Sequence, residues 1–297
     1  MVDEPGAAGA DEAPEVALVT GAPDAMPVPD PESPLLVAAL AERGVRAAVV
    51  PWTEDRDWSR VPLVVCRTPW DYVDRPDAFL SWVRATGAAT RLLNPPGLIA
   101  WNLHKRYLAE LAERGVPVVP TTHLGPGASP AVRTAALAGP GDVVIKPAVS
   151  GGAKGTIRID AGADAARDHL AALLRDGDAL VQPYLPEVED GEVSLVLFAG
   201  ELSHAVRKVP ARGDFRVQSE FGGAVVPHEP TADERRVARA VLDALAWAPA
   251  YARIDLVTTA EGPLLMEAEL IEPELFLRAD PTAAGRFADV LVADLRG

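Results

Sequence analysis

The chain has 297 residues, 48% of them hydrophobic, and a formal net charge of −15 at pH 7. That length is enough for two or three lobes, each with its own core. The acidic balance argues against a nucleic-acid surface, which needs a basic stripe, and no uncharged apolar run reaches the ~18 residues of a membrane-spanning helix.

Residues 1–14 are acidic and rich in small residues, with neither a basic segment nor an apolar stretch. They read as a disordered tail and not as a signal peptide. Cys66 is the single cysteine, which leaves no intramolecular disulfide and no thiolate metal site. A cytoplasmic location is the default expectation.

From Glu15 the pattern alternates between short apolar runs and amphipathic ones. EVALVT (15–20), VRAAVV (45–50), VPLVVCR (61–67) and RLLN (91–94) read as strands. SPLLVAALAERG (33–44) reads as a helix with Ser33 as N-cap, Pro34 in its first turn and Gly44 past its end. Asp77–Thr86 reads as a second helix, closed by Gly87. This β-α-β-β-α-β order predicts an open α/β lobe. Arg67, Trp70, Asp71 and Tyr72 follow its third strand, in RTPWDY. Ligands of open α/β sheets bind at carboxyl ends of strands, so this loop is a candidate substrate wall. Loop packing, with Asp71 capping a turn, accounts for the same residues equally well.

Pro95–Pro96 ends that lobe. Residues 101–115 read as one helix with Leu103, Tyr107, Leu108 and Leu111 facing inward. Lys105, near its first turn, is by itself an ordinary solubilising charge. In DVVIKPAVSGGAKGTIRI (142–159) a buried strand runs into Lys146, and a glycine loop then leads to a second strand. An ammonium at the end of an apolar strand needs a compensating anion. Gly151, Gly152 and Gly155 allow backbone N–H groups to approach phosphates as a nest, although an ordinary hairpin loop has the same composition. The Walker spacing is missing and no helix follows.

Residues 161–177 read as a helix and 179–185 as a strand, followed by an acidic loop. Residues 192–210 read as a hairpin turning at Ala199–Gly200, with Glu192 and Ser194 on one face. Arg207 and Lys208 are adjacent and so fall on opposite faces, which allows only one of them into a given pocket. Residues 212–223 have no regular period and are expected to be functional or mobile. Thr231 with Glu234 forms a capping box opening a helix to about Ala246, and a last helix is expected near 282–294.

Between these helices lies YARIDLVTTAEGPLLMEAELIE (251–272), two alternating runs around a short turn with Gly262. Ala252, Ile254 and Leu256 share one face, and Arg253 and Asp255 the other. With the turn centred on Glu261, Asp255 stands opposite Glu267, and Glu269 follows on the same face. At ~6 Å and an effective dielectric of ~20, each like-charge pair costs roughly 3 kcal/mol. A divalent cation would turn that repulsion into attraction. A solvated polar face on an edge hairpin is the plainer reading.

The order of these features resembles the ATP-grasp superfamily of ligases, over nearly the whole chain from about Glu15. The resemblance implies an α/β and α+β fold: an open α/β lobe (15–97), then a central lobe with the glycine lid (98–181) and a C-terminal lobe with the metal site (182–297), the last two clasping ATP. It implies that Lys105 and Lys146 meet the nucleotide phosphates beneath a lid of Ser150, Gly151, Gly152, Lys154, Gly155 and Thr156. It likewise implies that Gln182, Pro183, Tyr184 and Leu185 meet the adenine, and that Glu189 or Glu192 takes the ribose. Asp255, Glu267 and Glu269 match the acids that hold Mg²⁺ (or Mn²⁺), except that the family commonly has Asn where this chain has Glu269.

RTPWDY, LNPPGLIAWNLHKRYL, KPAVSGGAKGT, VQPYLPEVEDGEVSLVLF and LLMEAELIEPELFL are similar to one subgroup, which includes the cycloserine synthetases. The implied activity is ADP-forming carbon–nitrogen ligation of a small, amino-acid-like substrate through an acylphosphate. The nitrogen lies in the same molecule (closure of O-ureido-D-serine to cycloserine) or in a second one. Arg253 and Lys146 are the expected catalytic groups, with Arg67, Trp70, Asp71, Tyr72, Arg216 and Arg253 as substrate contacts. No nucleic acid or membrane partner is expected of this monomer or homodimer. A nucleotide-binding regulator is the alternative, but it should have lost a metal acid or a phosphate lysine.

Overall fold

A computed structural model describes residues 13–25, 30–211, 216 and 222–297. Residues 1–12 of the expected tail, and 212–215 and 217–221 of the irregular segment, lie outside these. The first sheet consists of β1 (Val16–Thr20), β2 (Ala47–Pro51), β3 (Leu63–Thr68) and β4 (Arg91–Leu93), with α1 (Ser33–Ala41) and α2 (Pro76–Ala89) in the crossovers. All pairs are parallel and the order is β2-β1-β3-β4. Every residue of β3 is buried, as a parallel strand covered on both faces requires.

Two helix ends differ from the sequence reading. Ser33 is the first residue of α1 and not its cap; the Asp30 carboxylate accepts from the amides of Glu32 (2.9 Å) and Ser33 (3.1 Å) instead. Gly87 lies inside α2. A Cβ there would sit 2.2 Å from Pro96 Cγ, so this glycine serves a close approach between chain segments and does not stop the helix.

The expected helix at 101–115 is two helices, α3 (Pro96–Asn102) and α4 (Tyr107–Glu113). Lys105 stands in the break, where its amide donates to the Ala148 carbonyl at 2.9 Å. That bond turns the lysine from a helix surface into the interior.

The second sheet, antiparallel, has the order β5-β8-β6-β7 from β5 (Thr122–Leu124), β6 (Asp142–Pro147), β7 (Ile157–Asp160) and β8 (Ala179–Pro183). It is accompanied by α5 (Pro130–Ala136) and α6 (Asp164–Asp176). The third has the order β11-β10-β9-β12-β13 from β9 (Glu192–Phe198), β10 (Glu201–Val209), β11 (Ala224–Pro227), β12 (Tyr251–Thr259) and β13 (Gly262–Glu269). α7 (Ala232–Ala244) lies between β11 and β12, and its Thr231–Glu234 capping box is formed as expected.

The final helix, α8 (Ala283–Arg296), returns to the first lobe, where Phe287 and Leu291 join the core made by Val16, Leu36 and Leu40. Residues 271–277 form no regular strand. Asn94 and Asn102 pin the end of β13. The Asn94 amide donates to Leu270 O (2.8 Å), while Asn102 donates to Ala268 O (2.8 Å) and accepts from Leu270 N (2.9 Å). Among the described residues no helix is long and apolar enough to cross a membrane.

Candidate active site

A cleft of about 810 Å³ opens between the three sheets. Its floor is the β12–β13 hairpin, in the register the alternation predicts: Asp255 opposite Glu267 and Arg253 opposite Glu269. On the neighbouring strands Ser194 stands opposite Asp255, and Lys208 opposite Glu192. Period-two alternation therefore gathers both signs of charge on one face.

The Arg253 guanidinium grips Asp255 through Nε (3.0 Å) and Nη2 (3.0 Å), contacts Glu269, and donates from Nη1 to the Glu274 carbonyl (3.1 Å). Asp255 also accepts from Ser194 Oγ (2.6 Å) and pairs with Lys208 (3.2 Å). Burial acts to raise its pKa, but Arg253 and Lys208 overcome this and hold it at about 2. Lys105 Nζ reaches Glu267 (3.0 Å) and the Ser150 carbonyl (2.8 Å). Burial raises Glu267, and the two lysines Lys105 and Lys146 more than reverse this. Burial lowers the Lys146 pKa, with Glu267 opposing and Lys105 adding to the fall. Burial, only partly offset by Arg253, pushes Glu269 up to about 8.

The three acids expected to converge on a cation do not converge. Among the described residues, no group of three or more His, Cys, Asp or Glu is gathered where it could hold a metal ion. Asp255 is 2% exposed and absent from the cleft lining, while Glu267 and Glu269 line it. The cause is electrostatic: with Arg253 and Lys208 on the same face and Lys105 reaching it from the break between α3 and α4, each carboxylate turns to a cation of the chain. Glu267 and Glu269 still present the hard oxygen donors that Mg²⁺ or Mn²⁺ takes.

Ser150, Gly151, Gly152, Lys154 and Thr156 line the cleft. Lys154 pairs with Asp74 of the first lobe. Gly155 (φ +71°) is not in the lining; a Cβ there would lie 3.0 Å from Pro147 Cγ. Gln182, Pro183, Tyr184 and Leu185 line the far end. Gln182 is anchored by its side chain to Thr121 (2.8 Å), and the Tyr184 amide is already bonded to the Asp142 carbonyl (3.0 Å). Glu192 faces the cleft. Glu189 does not, being held by the Tyr184 hydroxyl (3.0 Å) and Arg158 (3.5 Å).

On the first-lobe side, Trp70 and Tyr72 line the cleft, and Trp70 Nε1 donates to the Glu272 carbonyl (3.2 Å). Asp71 also lines it, but its carboxylate is engaged by Trp52 Nε1 (2.7 Å) and Arg75, so its role there is loop packing. Arg67 is not a cleft residue. It is fully buried, pairs with Glu32 (3.4 Å), donates to Pro273 O (3.2 Å) and lies over the Phe287 ring. On β3 its side chain takes the face toward α8. Arg216 lines the cleft.

Lys208, Glu272 and Asn102 are among the cleft residues that escaped the sequence reading. Lys208 was one of an adjacent pair that parity alone could not separate. Glu272 and Asn102 gave no signal, because their importance depends on tertiary partners: Asn102 bonds the backbone of Ala268 and Leu270, and burial pushes the Glu272 carboxyl, beside Tyr72, up to about 7.

Residues 16–94 match the family of the D-cycloserine synthetase DcsG N-terminal domain, and residues 118–260 match the ATP-grasp domain of prokaryotic glutathione synthetase. The chain is 37% identical over 311 residues to the cycloserine biosynthesis protein DcsG of Streptomyces lavendulae, covering 95% of this chain and 99% of that protein. It resembles the crystal structure of D-cycloserine synthetase DcsG with a TM-score of 0.84 at 34% identity, covering 94% of this chain and 99% of the other. The D-alanine–D-alanine ligase of Bacillus anthracis, solved with ATP, shares the fold (TM-score 0.65, 13% identity, covering 96% and 98%).

Proposed function

The chain belongs to the cycloserine synthetase family of ATP-grasp ligases, ADP-forming enzymes that join carbon to nitrogen, and on that premise we propose that it closes an amino acid of the O-ureido-D-serine kind into a ring. A carboxylate oxygen attacks the γ-phosphorus of ATP and ADP leaves. A nitrogen of the same substrate then attacks the acyl carbon, phosphate leaves and the nitrogen loses a proton. The observation that most supports this reading is the full-length likeness to a cycloserine biosynthesis protein, which includes the lobe carrying Trp70 and Tyr72.

In this reading Lys105, Lys146 and the loop 150–156 receive the phosphates, with Lys208 as a third cation beside them. Gln182 to Leu185 border the adenine, and Glu192, which faces the cleft, takes the ribose in preference to Glu189. Glu267 and Glu269 would hold a magnesium or manganese ion, which when bound supplies charge neutralisation at the phosphates. Asp255 acts from behind by holding Arg253 and Lys208 in place. Arg253 steadies the developing charge on the substrate carboxylate, Arg216 closes on the substrate, and burial in the cleft shields the acylphosphate from water. Every group named comes from one chain, so a cytoplasmic monomer or homodimer suffices.

The test is ADP release with O-ureido-D-serine as the sole amino acid, with mass analysis of the product. ADP that appears only when a second amine is supplied would favour two-substrate ligation, the reading that the glutathione synthetase match over 118–260 supports.

A further inference from the structure

Four of the carboxylates around the cleft have a cation supplied by the chain: Glu192 has Lys208, Asp255 has Arg253 and Lys208, Glu267 has Lys105, and Glu269 has Arg253. Glu272 has none within ion-pair distance among the described residues: Lys105 and Arg253 act on its carboxyl only from longer range, and the Tyr72 hydroxyl is its polar neighbour. The backbone that carries it is fixed from the other side. Trp70 Nε1 donates to its carbonyl and Arg67 Nη1 to that of Pro273, while the Glu32 carboxylate accepts from Leu275 N (2.8 Å) and Leu277 N (2.5 Å).

A carboxylate has about four acceptor positions, and one phenol beside it can fill one of them at most. The rest face a cleft also lined by Trp70, Tyr72 and Phe276. An acid in a cleft without a cation in ion-pair contact is costly; the cations that act on this one, Lys105 and Arg253, are each paired to another acid, and it stands at the end of the cleft formed by Trp70 and Tyr72. A ligand that brings a positive charge to this end completes the pairing.

We propose that Glu272, beside Tyr72, receives the ammonium of an amino-acid substrate, so that the enzyme selects substrates with a free amine beside the carboxylate it activates. This rests on the ligase reading above.

The test uses the full chain and measures ADP release with O-ureido-D-serine and with its des-amino analogue, 3-(ureidooxy)propanoate. The wild type should favour the amine by at least ~10-fold in kcat/KM, the scale of one charged hydrogen bond. Glu272→Gln should raise the KM for the amine at least ~10-fold, leave the KM for ATP unchanged, and bring the two compounds close to parity. Tyr72→Phe should fall between the two, and it decides the matter if Glu272→Gln does not fold. A wild-type preference retained in Glu272→Gln overturns the proposal, as does a raised magnesium requirement with the preference intact. No ADP from the wild type with either compound overturns the ligase reading for this substrate class and this proposal with it.

Discussion

Replacing Lys208 by methionine keeps most of the side-chain volume and removes the ammonium that Asp255 (3.2 Å) and Glu192 share. The two acid side chains are 3% and 12% exposed. At an effective dielectric of ~20, one unit pair at that distance is worth about 5 kcal/mol before desolvation. Methionine carries no desolvation cost of its own, so the expected loss of stability is about 3 kcal/mol, at the low end for removing one partner of a buried pair.

Asp255 keeps Arg253 and Ser194, so most of the loss falls on Glu192, whose pKa burial already raises against the pull of Lys208. Without Lys208 that folded-state pKa rises further above the unfolded value. The penalty is then fully present at high pH and fades as Glu192 takes up a proton on acidification. Equilibrium urea unfolding followed by tryptophan fluorescence at pH 8 and pH 5 should show the larger loss at pH 8, and adding Glu192→Gln should recover about half of it. A loss below about 1 kcal/mol, or no recovery in the double variant, would refute the coupling.

Glu267→Gln should lower ADP formation about 1,000-fold with a cooperative unfolding transition retained, and should strengthen metal-free nucleotide binding in calorimetry because Lys105 is released; wild-type turnover would sink this assignment. Gly155→Ala should cost ~1–2 kcal/mol, since φ is +71° and the new Cβ would press on Pro147. Gly139→Ala, with nothing within 4 Å, should be near neutral in the same thermal melts, and equal effects would refute the strain. Burial acts to raise the Glu234 pKa, but hydrogen bonds from His228 and Thr231 lower it overall, so its contribution is present above the unfolded pKa and lost as pH falls through the folded one. Glu234→Gln should therefore cost ~1 kcal/mol at pH 7, with the gap to wild type closing below about pH 4; a gap independent of pH in melts would refute this.

The features legible in the sequence were those with a local rule behind them. The pairing of Asp255 with Glu267 followed from alternation centred on Glu261, although the register shifts by one residue just beyond it, where Leu256 pairs with Leu265. The Thr231–Glu234 capping box is equally local. Features set by distant partners were not legible. Gly87 looked like a helix stop because nothing in the sequence announces the arrival of Pro96 beside it. Lys105 looked like a surface charge because the break after Asn102 depends on a bond to Ala148, 43 positions along the chain. Arg67, beside a plausible wall, was assigned to the substrate, yet its partners Glu32, Pro273 and Phe287 come from three other segments.

Most of the charged side chains around the cleft are joined in one set of ion pairs. Lys105, Lys208 and Arg253, which a phosphate chain would need, are each engaged by an acid, and the acids a cation would need are engaged in return. Such a set leaves no buried charge uncompensated within it, and for that reason the carboxylates do not converge. A nucleotide without a cation meets Glu267 and Glu269 as like charges, and a cation without a nucleotide must compete with Lys105 and Arg253 for those same acids. In the proposed assignment only the two together would offer each side a new partner, the acids to the cation and the lysines to the phosphates. Binding of either must then favour the other, and by linkage the favour is equal in both directions. The carboxylate of Glu269 strengthens this requirement, since an amide at that position would leave Arg253 with Asp255 as its single acidic partner.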